Sequence, residues 1–452
     1  MRAADPFQSL REEHPSATRW VVAFSGGLDS RVLLDLCHRH LSAQDHPPAL
    51  VALHVDHGVH PDAAGWASRC GDICASLGIE FHLRRAEPGA AAEDRLRRAR
   101  YAVFESFCVE TDLLLLAHHQ DDQAETVLLR LLRGAGPAGL AGMPASRPCG
   151  RAMLCRPLLD WPRARLEAHA ASAGLDWIED PSNASSAYGR NFLRKDVLPL
   201  LEARWPGAAE RISRAAAHCA DAAAICSARA EQDLAQCLDT DRFGQSRVRL
   251  APWRALPVPR RRMVLREWLK SETEHAAEAR SLETLVAEVI EAAPDRQPRL
   301  VIGTRVVRRF DDALYLLPRR AERPALPAGF VMDLGHVGHI EGAGRVSLLP
   351  EPGAGGVRAG TAYTIAFRDA GMLCRLHGRP ERPLKQVLAE AAVPPWLRDR
   401  IPLLLVDGQL AAVAGVGVCE GFLAAEGEPA VRLVWSPDSA APDQGAAVRL
   451  TT

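Results

Sequence analysis

The chain has 452 residues, 47% of them hydrophobic and 25% charged, with a formal net charge of −1. That length exceeds one typical domain and predicts two to four, while near-neutrality excludes a globally basic nucleic-acid binder and confines any RNA contact to local basic surface. No apolar stretch reaches membrane-spanning length, and the start Met1-Arg2-Ala3-Ala4-Asp5-Pro6 lacks the apolar segment of a secretory signal. The eleven cysteines form no C-x-x-C pair, so a cytoplasmic chain with reduced thiols is expected.

The apolar run Trp20-Val21-Val22-Ala23-Phe24 precedes Ser25-Gly26-Gly27-Leu28-Asp29-Ser30, and Val32-Leu33-Leu34-Asp35-Leu36 follows. The pattern predicts a strand, a tight turn and a helix. Two glycines allow the turn and let backbone amides approach an anion, and the helix N-terminus adds unsatisfied N–H groups. Ser25, Gly26, Gly27, Leu28, Asp29 and Ser30 are therefore the candidate phosphate cradle. No Lys follows the glycines and G-x-G-x-x-G is missing, which excludes the P-loop and the dinucleotide fingerprint. Beside a bound triphosphate Asp29 is placed to hold Mg²⁺, an ion that binds through one or two carboxylates plus phosphates; the plainer reading is a carboxylate that caps the helix.

Strand and helix signals then alternate: a strand over Ala49–Val55, a helix over Trp66–Leu77, a strand over Ile79–Leu83, an amphipathic helix over Glu93–Phe107 and a strand over Leu113–Ala117. This alternation predicts an α/β, doubly wound parallel sheet, in which ligands collect beyond the carboxyl ends of the strands. His54-Val55-Asp56-His57-Gly58 ends one strand, either as a polar turn or as part of a site. His118-His119-Gln120-Asp121-Asp122-Gln123-Ala124-Glu125-Thr126 follows another. With a helix starting near His118, His119, Asp122, Gln123 and Thr126 share one face, and His118, Asp121 and Glu125 share the next. Two imidazoles and three carboxylates can supply a general base, a metal ligand or substrate contacts, and the alternative is an acid-rich helix start favoured by the dipole.

Arginine clusters at Arg95, Arg97, Arg98 and Arg100, at Arg260-Arg261-Arg262 and at Arg305, Arg308 and Arg309 can each meet phosphates or form a solvated face. Helical periodicity over Ala208–Leu234 and Arg261–Ala292 predicts a helical middle domain. The stretch Pro318–Gly329 is a predicted linker, Pro350–Gly360 a Gly-rich loop, and the polar tail after Val434 is expected to lack order at its end.

The loop Ser25–Ser30 resembles that of the ATP pyrophosphatase group, which adenylates its substrates. Its companions are His54–Gly58, His118–Thr126, Arg133-Gly134-Ala135-Gly136-Pro137-Ala138-Gly139-Leu140-Ala141-Gly142-Met143, Arg156-Pro157-Leu158-Leu159 and Asp180-Pro181-Ser182-Asn183 with Arg190-Asn191-Phe192-Leu193-Arg194. In this order they resemble the tRNA(Ile)-lysidine synthetases. Leu384-Lys385-Gln386-Val387-Leu388, Val393 to Leu403 and Ala411 to Gly415 resemble the C-terminal module of the three-domain members. His60 departs from the resemblance, standing where Arg is common.

The resemblance implies a catalytic domain over 1–205, a helical tRNA-contacting domain over 206–320 and a small α+β tRNA-binding domain over 330–436. It implies ATP and Mg²⁺ as cofactors, with tRNA(Ile) bearing a CAU anticodon and free lysine as substrates. The C2 oxygen of the wobble cytidine attacks the α-phosphate, pyrophosphate leaves, the lysine amine attacks C2 and AMP departs. Asp29, His119 and Asp122 are the implied catalytic residues, His119 being favoured over His118. Asp56, His57, Arg97, Arg100, Glu125, Asn183, Asn191 and Arg194 are substrate-binding candidates, of which Asp56, Arg97, Arg100 and Glu125 can serve the lysine. Lys385, Arg398 and Arg400 are candidates for the tRNA, with bracing of a small domain as the alternative. A homodimer is open.

Three other readings stand beside this one. Sulfur transfer to tRNA asks for reactive, paired or cluster-bound cysteines, which the spacing disfavours. Amidation of a small acid normally needs a glutaminase partner. A non-catalytic RNA-binding protein would not need the intact Ser-Gly-Gly-Leu-Asp-Ser loop.

Overall fold

A computed structural model describes residues 6–58, 61–86, 93–179, 189–272, 279–293, 296–319, 329–352 and 355–437. The chain divides into two compact units, Met1–Ile225 and Cys226–Thr452. Asp180 to Asn183, His60 and most of the predicted linker lie outside the described residues.

The first unit runs α1 (Pro6–Glu13), β1 (Arg19–Ala23), α2 (Leu28–Ser42), β2 (Ala49–Asp56), α3 (Ala63–Ser76), β3 (Glu80–Arg85), α4 (Glu93–Phe107), β4 (Asp112–Leu115), α5 (Gln120–Leu132), α6 (Pro137–Leu140), β5 (Ser146–Cys149), β6 (Ala152–Cys155) and α7 (Arg163–Ala173). Then come α8 (Gly189–Phe192), a π-helical turn Leu193–Val197 and α9 (Leu198–Arg204). The sheet has the order β3-β2-β1-β4-β6-β5, parallel except for the β5–β6 hairpin. Trp20, Val21 and Val22 are fully buried because β1 is covered on both faces: Trp20 and Val22 pack with Val32, Leu33 and Leu115, and Val21 with Leu53, Phe104 and Leu114. A central strand of this kind is continuously apolar instead of alternating. The chain leaves β1 toward β2 on one side and returns to β4 on the other, so the strand order reverses between β1 and β4. That is the switch point at which open α/β sheets bind ligands.

The α5 helix starts later than the sequence suggests. His119 is its N-cap in extended conformation (φ −125°, ψ −177°) and Gln120 its first residue. His118 and His119 therefore precede the helix, and the expected sharing of helical faces does not extend to them.

The boundary between units falls within α10 (Ala208–Cys237). The second unit continues with β7 (Leu238–Thr240), β8 (Ser246–Arg249), α11 (Leu250–Ala255), α12 (Val258–Glu272), α13 (Ala279–Thr284), a π-helical turn Leu285–Ile290, β9 (Arg299–Ile302), β10 (Arg305–Phe310) and β11 (Ala313–Pro318). The expected helices are present, and an antiparallel sheet β7-β8-β11-β10-β9 accompanies them. Trp253, Leu265, Trp268, Leu285, Val307 and Leu314 form their common core.

The remainder comprises β12 (Phe330–Val331), β13 (Val337–Ile340), β14 (Gly344–Pro352), β15 (Val357–Arg358), β16 (Tyr363–Ala366), β17 (Leu373–Cys374), β18 (Arg382–Pro383), α14 (Leu384–Glu390), β19 (Leu403–Val406), β20 (Gln409–Val413), β21 (Gly417–Val418) and β22 (Pro429–Ser436). Sheets β12-β16-β19-β20-β21 and β13-β14-β22-β15 enclose one core with Ile365, Leu388, Leu404, Val431 and Trp435. No helix among the described residues is long and apolar enough to cross a membrane.

Candidate active site

The loop after β1 is shaped by two different demands. Gly26 has φ +86°, and a Cβ there would stand 2.7 Å from Ile178 Cδ1 and 2.8 Å from Cys70 Sγ. Both the conformation and the space require glycine. Gly27, the extended N-cap of α2, is different: a Cβ would meet only Ser25 Oγ at 3.7 Å and the Ile178 oxygen at 3.9 Å. Nothing in the fold excludes a side chain at Gly27, so its openness serves whatever approaches the loop. The Ile178 amide donates to the Gly26 oxygen at 2.9 Å, and the Ser30 hydroxyl donates to the Gly27 oxygen at 3.0 Å. Ser25 Oγ and Ser30 Oγ lie 3.1 Å apart. With the first-turn amides of α2 free of helical acceptors, this cradle fits the phosphates of ATP.

His119 brings the second loop, after β4, against the first. It is 0% exposed, with Nε2 3.7 Å from Asp29 Oδ2 and 3.4 Å from Asp122 Oδ2, and Nδ1 3.5 Å from Asp121 Oδ2. These are ion-pair distances, and neither ring nitrogen makes a hydrogen bond of good geometry. Burial works against the imidazolium, yet Asp121, Asp29 and Asp122 together outweigh it and lift His119 to about 9. His118 goes the other way. Burial, joined by Arg156, Arg190 and Arg100, pushes it down to about 3 despite Asp122, and its Nδ1 accepts from Arg156 Nε at 3.2 Å. The adjacent histidines are thus a neutral acceptor and a buried cation.

Asp122 and Glu125, one helical turn apart, form a joint acceptor for two arginines. Arg190 Nε and Arg194 Nε donate to Glu125 at 2.7 and 2.6 Å, and both guanidinium groups reach Asp122 Oδ1, at 3.2 and 2.8 Å. Asp122 Oδ2 also accepts the His119 amide at 3.1 Å, closing the helix start. The sequence grouped Glu125 with His118 and Asp121, but Glu125 shares its partners with Asp122 because α5 begins at Gln120. Glu125 is 0% exposed, so its substrate-binding role is open only if these arginines leave it. Asn191 is half-buried on α8, and Asn183 lies outside the described residues.

The remaining candidates flank this centre. Asp56 Oδ1 accepts the Gly58 amide at 2.7 Å, an Asx turn at the end of β2. Burial and then Arg100 push His57 below its ordinary value, and its Nδ1 is buried without a partner. Arg97 lies 5.2 Å over the Tyr101 ring, and Arg100 has a buried Nε with no partner. Burial lowers Arg100. Lys385 is exposed on α14, Arg398 Nε donates to the Val393 oxygen at 2.9 Å, and Arg400 is half-buried. Trp396 packs edge-on against Tyr315 and Phe310 and donates to Gln245, so its ring is a packing element of the C-terminal module.

One site residue, Arg163, carried no signal in the sequence. Arg163 Nη1 is 3.5 Å from Asp29 Oδ1, and the Arg163 amide donates to Asp121 at 2.9 Å, so the start of α7 braces both carboxylates. Gln123, expected on the site face, instead exchanges two hydrogen bonds with Met143, at 2.8 and 2.6 Å. The Gly-rich stretch before Met143 is fixed by that exchange, since a Cβ at Gly142 would stand 2.6 Å from Gln123 Oε1.

A glycine cradle at the switch point of a parallel sheet, faced by a carboxylate and imidazole cluster, defines an ATP pyrophosphatase of the PP-loop class. Residues 2–201 match the family model of the PP-loop domain, 249–315 the TilS substrate binding domain and 363–435 the TilS substrate C-terminal domain. The tRNA(Ile)-lysidine synthase of Pseudomonas aeruginosa is 41% identical over 432 residues, covering 92% of this chain and 93% of that one. That of Alkalilimnicola ehrlichii is 39% identical over 426 residues, with 92% and 93% covered. Among solved structures, the U34-tRNA thiolase of Methanococcus maripaludis with its 4Fe-4S cluster aligns over 47% of this chain and 78% of that one, at 18% identity and a TM-score of 0.39. The chain belongs to the tRNA(Ile)-lysidine synthase family.

Proposed function

We propose that the chain ligates free lysine to C2 of the wobble cytidine of a CAU anticodon in tRNA(Ile), using ATP and releasing AMP and pyrophosphate. The observation that carries this reading is the approach of Asp29, on the phosphate cradle, to His119, the N-cap of α5, whose ring also neighbours Asp122. Backbone amides of Gly26 to Ser30 hold the pyrophosphate end of ATP. Asp29 would hold Mg²⁺, which supplies charge neutralisation at the phosphates. His119 keeps Asp29, Asp121 and Asp122 together, a positioning task that needs a buried cation among three carboxylates. The C2 oxygen of the cytidine displaces pyrophosphate from the α-phosphate, and the lysine amine then displaces AMP from C2.

Arg100, whose Nε lacks a partner, and Arg97 are suited to the lysine carboxylate, with Asp56 at the end of β2 suited to an ammonium. We assign catalysis to residues 1–205, tRNA contact to 206–320 and tRNA binding to 330–436, with Lys385, Arg398 and Arg400 as charges toward the RNA. Sulfur transfer is the weaker reading, since nine of the eleven cysteines are buried and such chemistry needs accessible thiols. The test is multiple-turnover AMP formation. It should require tRNA and lysine together, and turnover with either alone would sink the proposal.

A further inference from the structure

Within the second unit, a cavity of about 500 Å³ lies where the end of β10 and the turn into β11 meet the segment around Trp396. Five arginines line it, Arg254, Arg296, Arg308, Arg309 and Arg398, against two carboxylates, Asp311 and Asp312. Of these, Asp312 is engaged and Asp311 stands at the limit of ion-pair range. Asp312 pairs with Arg254 at 2.6 Å, and Asp311 lies 4.0 Å from Arg247, which is outside the lining. The deeper cations have only neutral acceptors. Arg309 donates to the carbonyls of Ile290, Ala292 and Ala293, and Arg398 donates to that of Val393. Arg308 rests over the Trp396 ring at 5.7 Å, and among the described residues no carboxylate pairs with Arg308, Arg309 or Arg398.

Half-buried guanidinium groups without counter-ions are costly, because desolvation is not offset by an opposite charge. Burial accordingly lowers both Arg308, with Arg299 beside it, and Arg398, with Arg368 beside it. A fold that keeps like charges converging on one cavity has room for an anion that is absent from the chain itself. Several guanidinium forks around a single space match the oxygens of a phosphate, which accepts bidentate pairs.

We propose that this cavity seats a backbone phosphate of an RNA, with Arg308 and Arg398 as its principal ligands and Trp396 as the floor that orients Arg308. The proposal rests on the reading of the chain as a tRNA-binding enzyme, and extends it to a named phosphate seat spanning the middle sheet and the C-terminal module.

The test compares the full-length protein with R308M/R398M, measuring tRNA affinity by filter binding across a series of KCl concentrations. Loss of the seat should weaken binding and reduce the slope of log K against log salt by about 0.7–0.9 per phosphate contact removed. Thermal unfolding is read in parallel. Relief of uncompensated charge predicts a melting point equal to or above that of the wild type, whereas arginines that only brace the fold predict a lower one. An unchanged salt slope overturns the proposal. Inorganic phosphate is titrated as a second probe: if it raises the wild-type melting point and not the variant's while the slope is unchanged, the seat serves a free anion and the RNA assignment is wrong. Lysine incorporation by the wild type is measured separately. A wild type that binds tRNA without transferring lysine refutes the proposed reaction and leaves the salt comparison valid, and a wild type that binds no tRNA refutes both.

Discussion

Asp29 sits at the meeting of three influences: the cradle it belongs to, His119 at 3.7 Å and Arg163 at 3.5 Å. Its carboxylate acts on phosphate charge and not on the RNA, so Asp29→Asn should abolish AMP formation and leave tRNA affinity nearly unchanged. Substantial turnover at saturating Mg²⁺ would remove it from the mechanism. The two loop glycines separate fold from function. Gly26→Ala meets both a left-handed φ and a clash, and should cost about 1–3 kcal/mol of stability. Gly27→Ala should unfold normally in denaturant titrations but bind ATP more weakly, because its added methyl faces only the cradle. Equal ATP affinity would place the phosphates elsewhere.

The adjacent histidines also set a pH response. His118, held down to about 3, stays neutral when folded while the unfolded side chain protonates near its ordinary value of about 6.5. Acidification from about 6.5 toward 3 therefore favours the unfolded chain. His119, lifted to about 9, gains a proton on folding, so its stabilisation is complete below about 6.5 and is lost as pH rises through 9. Unfolding titrations of His119→Gln should lack the alkaline loss, and an unchanged profile would show that His119 is not the group responsible. The same variant should slow adenylation by about 10²–10⁴ if the imidazole organises the reacting groups.

At the scale of elements, the pair Asp122 and Glu125 on α5 depends on Arg190 and Arg194 across a long stretch of chain. Removing both arginines leaves Glu125 buried without a partner, a loss on the order of 3–5 kcal/mol. Glu125→Gln in that background should recover part of it, and no recovery would show that the ion pairs are not what the arginines contribute. Much of this unit was legible in the sequence. The helix over Glu93–Phe107 matches α4 in both ends, and the Ser25–Ser30 turn lies where strand and helix patterns met. What was not legible depends on long-range contact or on backbone conformation. Arg163 reaches Asp29 across 134 residues, and Ile178 packs on Gly26 from beyond α7. His119 belongs to no helical face because an extended N-cap ends the periodicity before it. The middle sheet was missed for another reason. Its strands are three to six residues long, and β10 carries Arg305, Arg308 and Arg309, so its signal was that of a basic cluster.

At the scale of the molecule, the first unit holds the candidate adenylation site and the second holds the seat proposed for an RNA phosphate. A cut at Gly360 would not separate them cleanly, because β14 pairs along its whole length with β22 and Leu348 opposes Leu433 in one core. The separable piece is the first unit. A chain ending at Cys237, after α10, should retain ATP binding and lose tRNA affinity, and retention of full tRNA affinity would make the second unit architectural. Incubation of the full chain with ATP, Mg²⁺, labelled lysine and a CAU-anticodon tRNA(Ile) measures the reaction itself. Label should enter the RNA only when ATP is present; RNA that stays unlabelled with every component present, or becomes labelled without ATP, would contradict the account.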